Sequence, residues 1–345
     1  MSIIEVAKIA GVSKSTVSRV INDSGQVTPE VVAAVRKAMK QLGYEPPVRR
    51  RGPKPASRRG IRTGNIALLV MGLAATDLYR MPVFPSLLFG VERGLAEQGL
   101  NLILANLNEG QGQPSVLAGN QADGLLLFGK WDGMPEPMRA KLGERPAVWV
   151  MREHSDEESL FDHVFYDNAA VGRLAARHLV RRGHKRLAYV NALHPDHTAF
   201  AQRQKDFAAA AKELGASAES FARPSREASA APELAVAQAV VDQMLASQPR
   251  PTAMFVPTDA HLPAIYHALQ ARRVRPMTDI EIISCDNEQQ FLNKLSPVPP
   301  TIDLNLELVG RRAVQQLLWR MRNPDERSRL TILVEPILLE PVNAH

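Results

Sequence analysis

The sequence predicts an α/β protein in which a small three-helix head, with a helix-turn-helix, precedes a core of two parallel-sheet subdomains. Three observations support this prediction. The helix-forming stretch "EVAKIAGVSKSTVSRVIN" is interrupted by "AGVS", basic residues are concentrated in the first 62 residues, and from Asn65 short apolar runs alternate with helical stretches. The length of 345 residues is too great for one ordinary core and suits one small domain with two medium-sized ones.

The opening stretch has the end signals of two short helices. Ser2 and Glu5 have the form of a capping box, Gly11 suits a left-handed C-cap, and Ser13 can cap a second helix. The apolar residues at roughly helical spacing in the first helix are Ile4, Val6, Ile9 and Ala10. Two helices joined by a tight turn with glycine are typical of a helix-turn-helix, although an ordinary surface helical hairpin can have the same pattern.

Two further helices complete the predicted head, residues 1–45. The second helix has an apolar face of Val17, Val20 and Ile21, and an opposite face of Lys14, Ser15, Ser18 and Arg19. Thr28 as a cap and Pro29 at the first helical position predict a third helix that ends at about Leu42. The head is therefore expected to have one polar, cationic helix face.

Basic residues are concentrated at one end of the chain. The first 62 residues contain 13 Lys and Arg against 4 Asp and Glu, a net charge of +9, so the remainder of this +6 chain carries −3. Such asymmetry is expected of a domain that binds the phosphate backbone of a nucleic acid. A helix on a membrane surface would need a broad apolar face opposite its cations, and none accompanies Arg49–Arg62.

Residues 46–64 are predicted to form a basic linker. The prolines and glycines of "EPPVRRRGPKPASRRGIRTG" prevent a continuous helix, and seven cations between Arg49 and Arg62 have no acidic neighbour. A solvated tether is one interpretation of this composition. We favour the other, in which cations that directly follow a helix-turn-helix contact phosphates or enter a narrow minor groove.

Residues 65–345 alternate β-rich apolar runs with helical patterns. The predicted strands are 66–71, 101–106, 124–128, 147–151, 186–191, 252–257 and 280–285, and the predicted helices include 84–98, 169–182, 200–214, 234–246 and 262–272. This alternation is typical of parallel sheets covered on both faces, and the number of strands favours two sheets. Ligands of such sheets bind beyond the carboxyl ends of the strands, where Asp259 and Asp286 are expected.

Several kinds of site have no support in the sequence. The stretch "MGLAATD" after the first strand lacks the glycine spacing of a dinucleotide site, and the nine histidines show no zinc-ligand spacing, so we expect no cofactor and no metal. The single cysteine, Cys285, excludes an intrachain disulfide and is expected to be a buried, inert thiol. Because no apolar run approaches the roughly 20 residues that span a bilayer and no signal peptide is evident, we expect a soluble, cytoplasmic protein.

Several longer stretches together resemble one protein family. They are "EVAKIAGVSKSTVSRVIN" with "VTPEVVAAVRKAMKQLGYEP", "PVFPSLLFGVERGLAEQG", "ADGLLLF", "DNAAVGRLAARHLVRRGHKRLAYV", "PTAMFVPTDAHLPAIYHAL" and "DIEIISCDN". In this order, and over nearly the whole chain, they resemble transcription regulators of the lactose-repressor/galactose-repressor (LacI/GalR) family. The resemblance implies a DNA-binding head, a hinge, and a periplasmic-binding-protein-like core of two Rossmann-like subdomains around an effector cleft. The implied subdomains are about 65–163 with 296–325, and about 164–295 with 326–345.

The resemblance also implies which residues contact operator DNA. Lys14, Ser15 and Arg19 match positions that read base edges in the major groove, where Lys or Arg can donate to guanine. The residues expected to position phosphates are Ser2, Thr16, Ser18 and Asn22. Where the family has a hinge helix with a leucine wedge, this chain has an Arg/Pro/Gly segment. The candidates there are Arg49, Arg50, Arg51, Arg58, Arg59 and the nearest apolar residue, Ile61.

An effector site follows from the same resemblance. Arg203 matches the arginine that grips effector hydroxyls or carboxylates, and Asp259 matches the acidic residue opposite it, which together suit a polar ligand such as a sugar. A structural ion pair is the alternative for these two. The other candidates are Tyr79, Phe84, Trp131, Asp167 and Asp286, of which each aromatic residue suits the core equally well. The chain departs from the family pattern at Met81 and Asp206, where asparagine and glycine are usual.

Two other classes of protein share parts of this pattern. A periplasmic solute-binding protein would have the core but no basic head. An enzyme would need a nucleophile–base pair or a metal cluster, which the motifs lack. The sequence is therefore expected to encode a homodimeric repressor and no enzyme. A small-molecule effector, a sugar or sugar derivative, would change the angle between the core subdomains and so the spacing of two heads on a pseudo-palindromic double-stranded operator.

Overall fold

The computed structural model describes residues 2–21, 27–44, 60–73, 78, 81–108, 114–119, 121–129, 135–151, 161–192, 198–222 and 232–341. The chain forms two compact units, Met1–Ala56 and Ser57–His345. In the described part of the chain, no helix is both long enough and apolar enough to cross a membrane.

The first unit contains three helices that begin and end at the predicted signals. They are α1 (Ile3–Ala10), α2 (Lys14–Ile21) and α3 (Pro29–Leu42). At the start of α1, the Ser2 N–H donates to Glu5 Oε2 at 2.6 Å, and Gly11 ends the helix with φ 67°. At the start of α2, the Thr16 N–H donates to Ser13 Oγ at 3.1 Å. These bonds satisfy groups that helix ends leave unpaired, and the predicted helix-turn-helix is confirmed.

The head has a small apolar core between its helices. The buried residues are Val6, Ala7, Val17, Val35 and Ala38. Two of the apolar residues at helical spacing in α1, Ile4 and Ile9, are 62% and 50% exposed. They are exposed because the inward face of α1 runs through Ile3, Ala7 and Ala10, which are spaced four and three residues apart.

The second unit consists of two sheets and the helices that cover them. Its strands are β1 (Asn65–Met71), β2 (Asn101–Leu107), β3 (Gly124–Gly129), β4 (Ala147–Val150), β5 (Asp162–Tyr166), β6 (Arg186–Asn191), β7 (Ser217–Ala222), β8 (Ala253–Phe255), β9 (Glu281–Cys285), β10 (Thr301–Asp303), β11 (Thr331–Val334) and β12 (Ile337–Leu339). Its helices are α4 (Phe84–Ala96), α5 (Ser115–Ala118), α6 (Glu136–Gly143), α7 (Asn168–Arg181), α8 (Thr198–Glu213), α9 (Glu233–Ala246), α10 (Leu262–Ala271), α11 (Gln289–Leu292) and α12 (Leu306–Arg322). Every predicted strand and helix is present within two residues of its predicted ends.

Each sheet has six strands in the described part of the chain. The first has the order β11-β5-β4-β3-β1-β2 with parallel pairing throughout, and the second has the order β12-β10-β9-β8-β6-β7 with only β12 antiparallel. Helices cover both faces of the second sheet. Leu187 and Tyr189 of β6 pack with α7 and α8, whereas Ala188 and Val190 pack with α9 and α10. Burial on both faces explains why the central strands read as continuous apolar runs.

The chain passes between the two sheets three times, after β5, after β10 and after β11. These crossings correct the expected subdomain limits. β10 belongs to the second sheet, although 296–325 was expected in the first subdomain, and β11 belongs to the first sheet, although 326–345 was expected in the second. The crossing expected at 163/164 lies inside β5. Strands of three or four residues are too short for their apolar pattern to assign them to a sheet.

Helices α7 and α8 approach closely at Gly172, which positions a buried arginine. A Cβ atom at Gly172 would lie 2.4 Å from the Arg203 carbonyl oxygen and 2.7 Å from the Phe207 backbone nitrogen. Only glycine leaves room for this backbone contact. The contact fixes the stretch of α8 that carries Arg203 near the carboxyl ends of β8 and β9.

Candidate functional site

Helix α2 has one buried face and one polar, exposed face. Val17 is fully buried in the head core, while Lys14, Ser15 and Arg19 are exposed. Ser13 Oγ lies 2.7 Å from Ser15 Oγ, so a hydroxyl pair marks the start of this face. An exposed helix face with two cations and small hydroxyl groups has the chemistry required to donate to base edges and phosphates.

The other candidate DNA-contacting residues occupy different environments. Ser2 is exposed at the start of α1, and Thr16 and Ser18 are half-buried on α2. Asn22, Arg49, Arg50, Arg51, Arg58 and Arg59 lie outside the described residues. Ile61 is half-buried and packs against the apolar core of the second unit. This packing favours a structural role for Ile61, and its contact with a minor groove stays a prediction.

The candidate effector site is organised around Arg203 of α8. Its side chain is almost fully buried, at 1% exposure. The Nε atom donates to Asn168 Oδ1 at 3.0 Å, and Nη1 donates to the Pro257 carbonyl oxygen and to Asp286 Oδ1, the latter at 3.4 Å. Pro257 and Asp286 follow β8 and β9 of the second sheet, and Asn168 begins α7 after the crossing from β5 of the first sheet. The guanidinium therefore lies at the carboxyl ends of β8 and β9, the edge of a parallel sheet at which ligands bind.

Two aromatic rings enclose the Arg203 guanidinium. Its central carbon lies 5.6 Å from the Tyr166 ring centroid and 5.3 Å from that of Phe200. The Tyr189 hydroxyl donates to the Phe200 carbonyl oxygen at 2.8 Å and so ties the start of α8 to β6. Burial raises the pKa of the Tyr166 hydroxyl, which keeps that group neutral. The rings restrict the approach to Arg203 and contribute cation–π attraction.

Asp259 is fully buried and has a set of partners separate from those of Arg203. Thr301 Oγ1 donates to Oδ1 at 3.0 Å, the Glu288 N–H donates to Oδ2 at 2.8 Å, and Ser284 Oγ also donates. Burial and the nearby Asp286 carboxylate raise the pKa of Asp259 to about 8, against the effect of these hydrogen bonds. The alternative of a structural ion pair between Arg203 and Asp259 was wrong, because the carboxylate paired with Arg203 is that of Asp286; the contact of Asp259 with an effector stays a prediction.

Residues 286–288 follow β9 and form the acidic side of the site. Asp286 and Asn287 have φ of 109° and 58°, so the backbone turns sharply there. Burial raises the pKa of Asp286, although Arg203 lowers it. Burial first, and then the Asp286 carboxylate, raise the pKa of Glu288 to about 7. Asn287 Nδ2 donates to Asp303 Oδ2 at 3.1 Å, which joins this turn to the crossing after β10.

The remaining predicted effector residues are not brought together with Arg203. Asp167 caps α7, where the Ala170 N–H donates to Oδ1 at 2.9 Å and Arg173 Nη2 lies 3.3 Å from Oδ2. Phe84 is buried against Phe128, with ring centroids 5.1 Å apart. Phe84 therefore belongs to the core, which was the alternative for the aromatic candidates. Tyr79 and Trp131 lie outside the described residues.

Asn168, Asn287 and Glu288 were missed by the sequence reasoning. Each follows a predicted site residue, Asp167 or Asp286, by one or two positions. The signal that could have found them is the turn that begins where a parallel strand ends, because several consecutive residues can reach a ligand there. Among the residues that the structure describes, no group of three or more His, Cys, Asp or Glu side chains has the arrangement of metal ligands.

Comparison with known proteins identifies two matching domains. Residues 2–47 match the family described as bacterial regulatory proteins, lacI family, and residues 176–339 match the periplasmic binding protein-like domain. The ribose operon repressor of Escherichia coli (strain K12) is 30% identical over 344 residues, which cover 97% of both chains. The repressor PurR of Vibrio atlanticus (strain LGP32) is 29% identical over 331 residues, which cover 94% of this chain and 93% of that protein.

Solved structures agree over nearly the whole chain. A transcriptional regulator CelR–cellobiose complex is 26% identical, with a TM-score of 0.63 and 98% coverage of both chains. The lac repressor dimer bound to operator and the anti-inducer ONPF has a TM-score of 0.64, with 99% coverage of this chain and 98% of that one. At 19% identity, this second likeness establishes the fold alone.

Proposed function

The chain belongs to the LacI family of DNA-binding transcriptional repressors, and we propose that it acts as a homodimer whose operator affinity is set by a sugar or sugar derivative. The observation that carries this proposal is the buried Arg203 guanidinium, which joins the ends of β8 and β9, at the ligand-binding edge of the second sheet, to Asn168 at the start of α7. A buried charge is costly to retain unless it is paired, and residues of this kind mark functional sites.

Operator recognition is assigned to the exposed face of α2. Lys14 and Arg19 supply cationic donors, and Ser15 supplies a small hydroxyl that discriminates weakly among bases. Arginine can bond guanine O6 and N7 at the same time, which makes Arg19 the residue that contributes most to sequence preference. Ser2, Thr16, Ser18 and Asn22 position phosphates, and the head's excess of cations supplies the part of affinity that does not depend on sequence.

A polyol ligand suits the groups around Arg203. The turn at residues 286–288 supplies carboxylate and amide groups, and Asn168 holds the guanidinium from the other side. Hydroxyl groups both donate and accept, so they can pair with carboxylates and with a guanidinium in one small volume. The CelR structure is described as a complex with cellobiose, which supports a sugar as the class of ligand.

Coupling between ligand and operator is assigned to the three crossings between the sheets. A ligand held at the strand ends of the second sheet closes or opens the angle to the first sheet, to which the linker connects. In a dimer, this change alters the spacing between the two heads. The coupling is reciprocal, so operator DNA changes the affinity for the ligand by the same factor.

The test uses the purified full-length protein and fluorescently labelled DNA from upstream of its own gene. We expect binding that weakens steeply with salt and exceeds binding to shuffled DNA by about 10³-fold or more. Equal affinity for both DNAs would overturn operator recognition. A thermal-shift screen of sugars follows, in which a ligand at 100 times its Kd adds about 2.7 kcal/mol to the free energy of unfolding. If all sugars left the melting temperature unchanged, the ligand class would be wrong.

A further inference from the structure

The stretch that leads from the linker into β1 is held by one carboxylate. Three consecutive backbone N–H groups, of Arg62, Thr63 and Gly64, donate to the side chain of Asp123. The distances are 3.0 Å from Arg62 to Oδ1, 3.0 Å from Thr63 to each oxygen, and 2.8 Å from Gly64 to Oδ2. Hydrogen bonds to a charged acceptor are stronger than those between neutral groups, so this is a strong local anchor.

Asp123 is itself fixed in the first sheet. It directly precedes β3, it is buried, and its own N–H donates to the Asn65 carbonyl oxygen at 2.8 Å, where β1 begins. Gly64 has φ 76°, which lets the chain turn so that successive N–H groups point at one carboxylate. The anchor therefore connects the linker end to two central strands.

Neighbouring contacts extend the attachment on both sides of the carboxylate. The Asn101 N–H donates to the Gly64 carbonyl oxygen at 2.8 Å, and Asn65 Nδ2 donates to the Gln121 carbonyl oxygen at 3.0 Å. Towards the linker, Ile61 packs against the core. Gly60 lies close to the end of α12, since a Cβ atom added to it would be 3.0 Å from the Met321 carbonyl oxygen. The attached stretch is thus residues 60–64, the last part of the predicted linker.

An aspartate that stabilises a turn before a strand is common, and it needs only one or two such bonds. Here one carboxylate binds three successive N–H groups, and the attachment reaches back to Gly60. We propose that Asp123 is a positioning residue that fixes where the tether of the DNA-binding head leaves the core, so that movement of the first subdomain reaches the head. This role rests on the proposed function, since it has meaning only if two heads bind DNA at a defined spacing.

Hydrogen exchange measured by mass spectrometry on the full-length protein tests the anchor. In Asp123→Asn and Asp123→Ala, the peptide that contains the amides of residues 62–64 should exchange about tenfold faster or more, while peptides from β1 and β3 keep their protection. Asp325→Asn is the matched control, because it removes an exposed carboxylate from the loop after α12. Unchanged exchange in both Asp123 variants would overturn the anchor.

Operators with altered half-site spacing test the positioning role. A released tether is longer and has no fixed direction, so the Asp123 variants should bind the optimal spacing about threefold more weakly or worse. They should also lose less affinity than the unmodified protein when one or two base pairs are inserted between the two half-sites of the operator. Affinity for a single half-site should stay the same, because the head is unchanged. Gly64→Ala strains the backbone of the same turn, because Gly64 has a positive φ. It serves as the test variant if an Asp123 variant does not fold.

The outcomes separate the two proposals. Faster exchange with an unchanged response to spacing would overturn the positioning role and leave Asp123 as a local turn residue. If the unmodified protein bound no promoter DNA specifically, the proposed function and this role would fail together. If it bound normally and only the Asp123 variants tolerated altered spacing, both would be supported.

Discussion

Arg203 and Asp286 form an ion pair in which both side chains are buried, with Arg203 Nη1 3.4 Å from Asp286 Oδ1. The pair joins a helix to a turn that follows β9, and the same guanidinium holds Asn168 at the first crossing between the sheets. Because neither charge has access to bulk water, each depends on the other for its stability. A ligand that contacts this pair therefore acts on a network that already connects the strand ends to a crossing.

Arg203→Ala should remove the effector response while operator binding without effector is retained. The substitution leaves the Asp286 carboxylate buried without its cation, so we expect the free energy of unfolding to fall by about 3–5 kcal/mol in denaturant titrations. The double variant Arg203→Ala with Asp286→Asn should recover much of that stability without recovering the effector response. Effector affinity that survived in Arg203→Ala would sink the assignment of this site.

Glu288 should make stability depend on pH in a defined window. Its pKa in the folded protein is raised from 4.5 to about 7. As pH rises above 4.5, the unfolded chain loses this proton first, so the free energy of unfolding falls until about pH 7 and then levels off. One proton contributes at most about 1.4 kcal/mol per pH unit, and the half-buried position of Glu288 makes the slope smaller.

The measurement for Glu288 is a set of denaturant titrations from pH 4.5 to pH 8. Glu288→Gln, which cannot ionise, should make the decline in unfolding free energy with rising pH shallower below pH 7. Glu335→Gln is the control, because it removes an exposed carboxylate that follows β11. An identical slope in the Glu288 variant and the unmodified protein would show that Glu288 does not hold its proton in the folded state.

Gly172→Ala should weaken the effector site without touching its polar groups. The added Cβ meets the Arg203 carbonyl oxygen and the Phe207 nitrogen, so α7 and α8 must move apart. Overpacking of this kind typically costs about 1–3 kcal/mol of stability, measured by denaturation. We expect effector affinity to fall with it, because Arg203 moves with α8. Arg177→Ala on the exposed face of α7 is the control and should change neither quantity.

Much of the fold follows from the sequence because the central strands are continuous apolar runs. β1, β3 and β6 are buried on both faces, and their patterns are unambiguous. β5 contains Asp162 and His163, and β7 is a polar edge strand, so neither sequence has the continuous apolar run that predicts a buried strand. β10 and β12 have three residues each, and such lengths give no periodicity to detect.

The candidate site was predictable in its location but not in its pairing. Strand ends indicated Asp259 and Asp286, and the family resemblance added Arg203. Which carboxylate faces the guanidinium depends on the turn after β9, where Asp286 and Asn287 have positive φ, and sequence spacing does not determine such a turn. The anchor at Asp123 was missed for a similar reason. Its partners are backbone N–H groups about 60 residues away, which leave no pattern of side chains in the sequence.

Arg19→Ala should reduce both operator affinity and sequence preference. Arg19 is exposed on the polar face of α2, opposite buried Val17, so its loss removes donors without disturbing the head core. We expect a loss of about 1–3 kcal/mol on the operator, measured by anisotropy titration, and a flatter response to operator variants. Arg36→Ala removes an exposed cation from α3 and is the control. Equal losses on operator and random DNA in the Arg19 variant would reassign this residue to phosphate contact.

The linker arginines should contribute most on operators with an A·T-rich centre. "RRRGPKPASRRG" resembles the short Arg-Gly-Pro minor-groove segments known as AT-hooks, although its order differs from their usual core. The residues to neutralise together are Arg49, Arg50, Arg51, Arg58 and Arg59. A narrow A·T minor groove attracts arginine, so the loss of affinity should be larger on A·T than on G·C centres. The slope of log affinity against log salt should shrink by roughly 0.9 for each phosphate that the variant no longer neutralises.

Ile61→Ala separates this minor-groove mechanism from an apolar wedge. Ile61 packs against the apolar core and the neighbouring amide of Arg62 is held by Asp123, so both interactions keep this stretch on the core. The substitution should therefore lower the free energy of unfolding by about 1 kcal/mol, as expected for a half-buried side chain, and leave operator affinity nearly unchanged. A wedge predicts the reverse, a large loss of operator affinity with little change in stability. Measuring both quantities for Ile61→Ala and for the arginine variant, on A·T and G·C centres, distinguishes the mechanisms, because only minor-groove arginines make the loss depend on the operator centre.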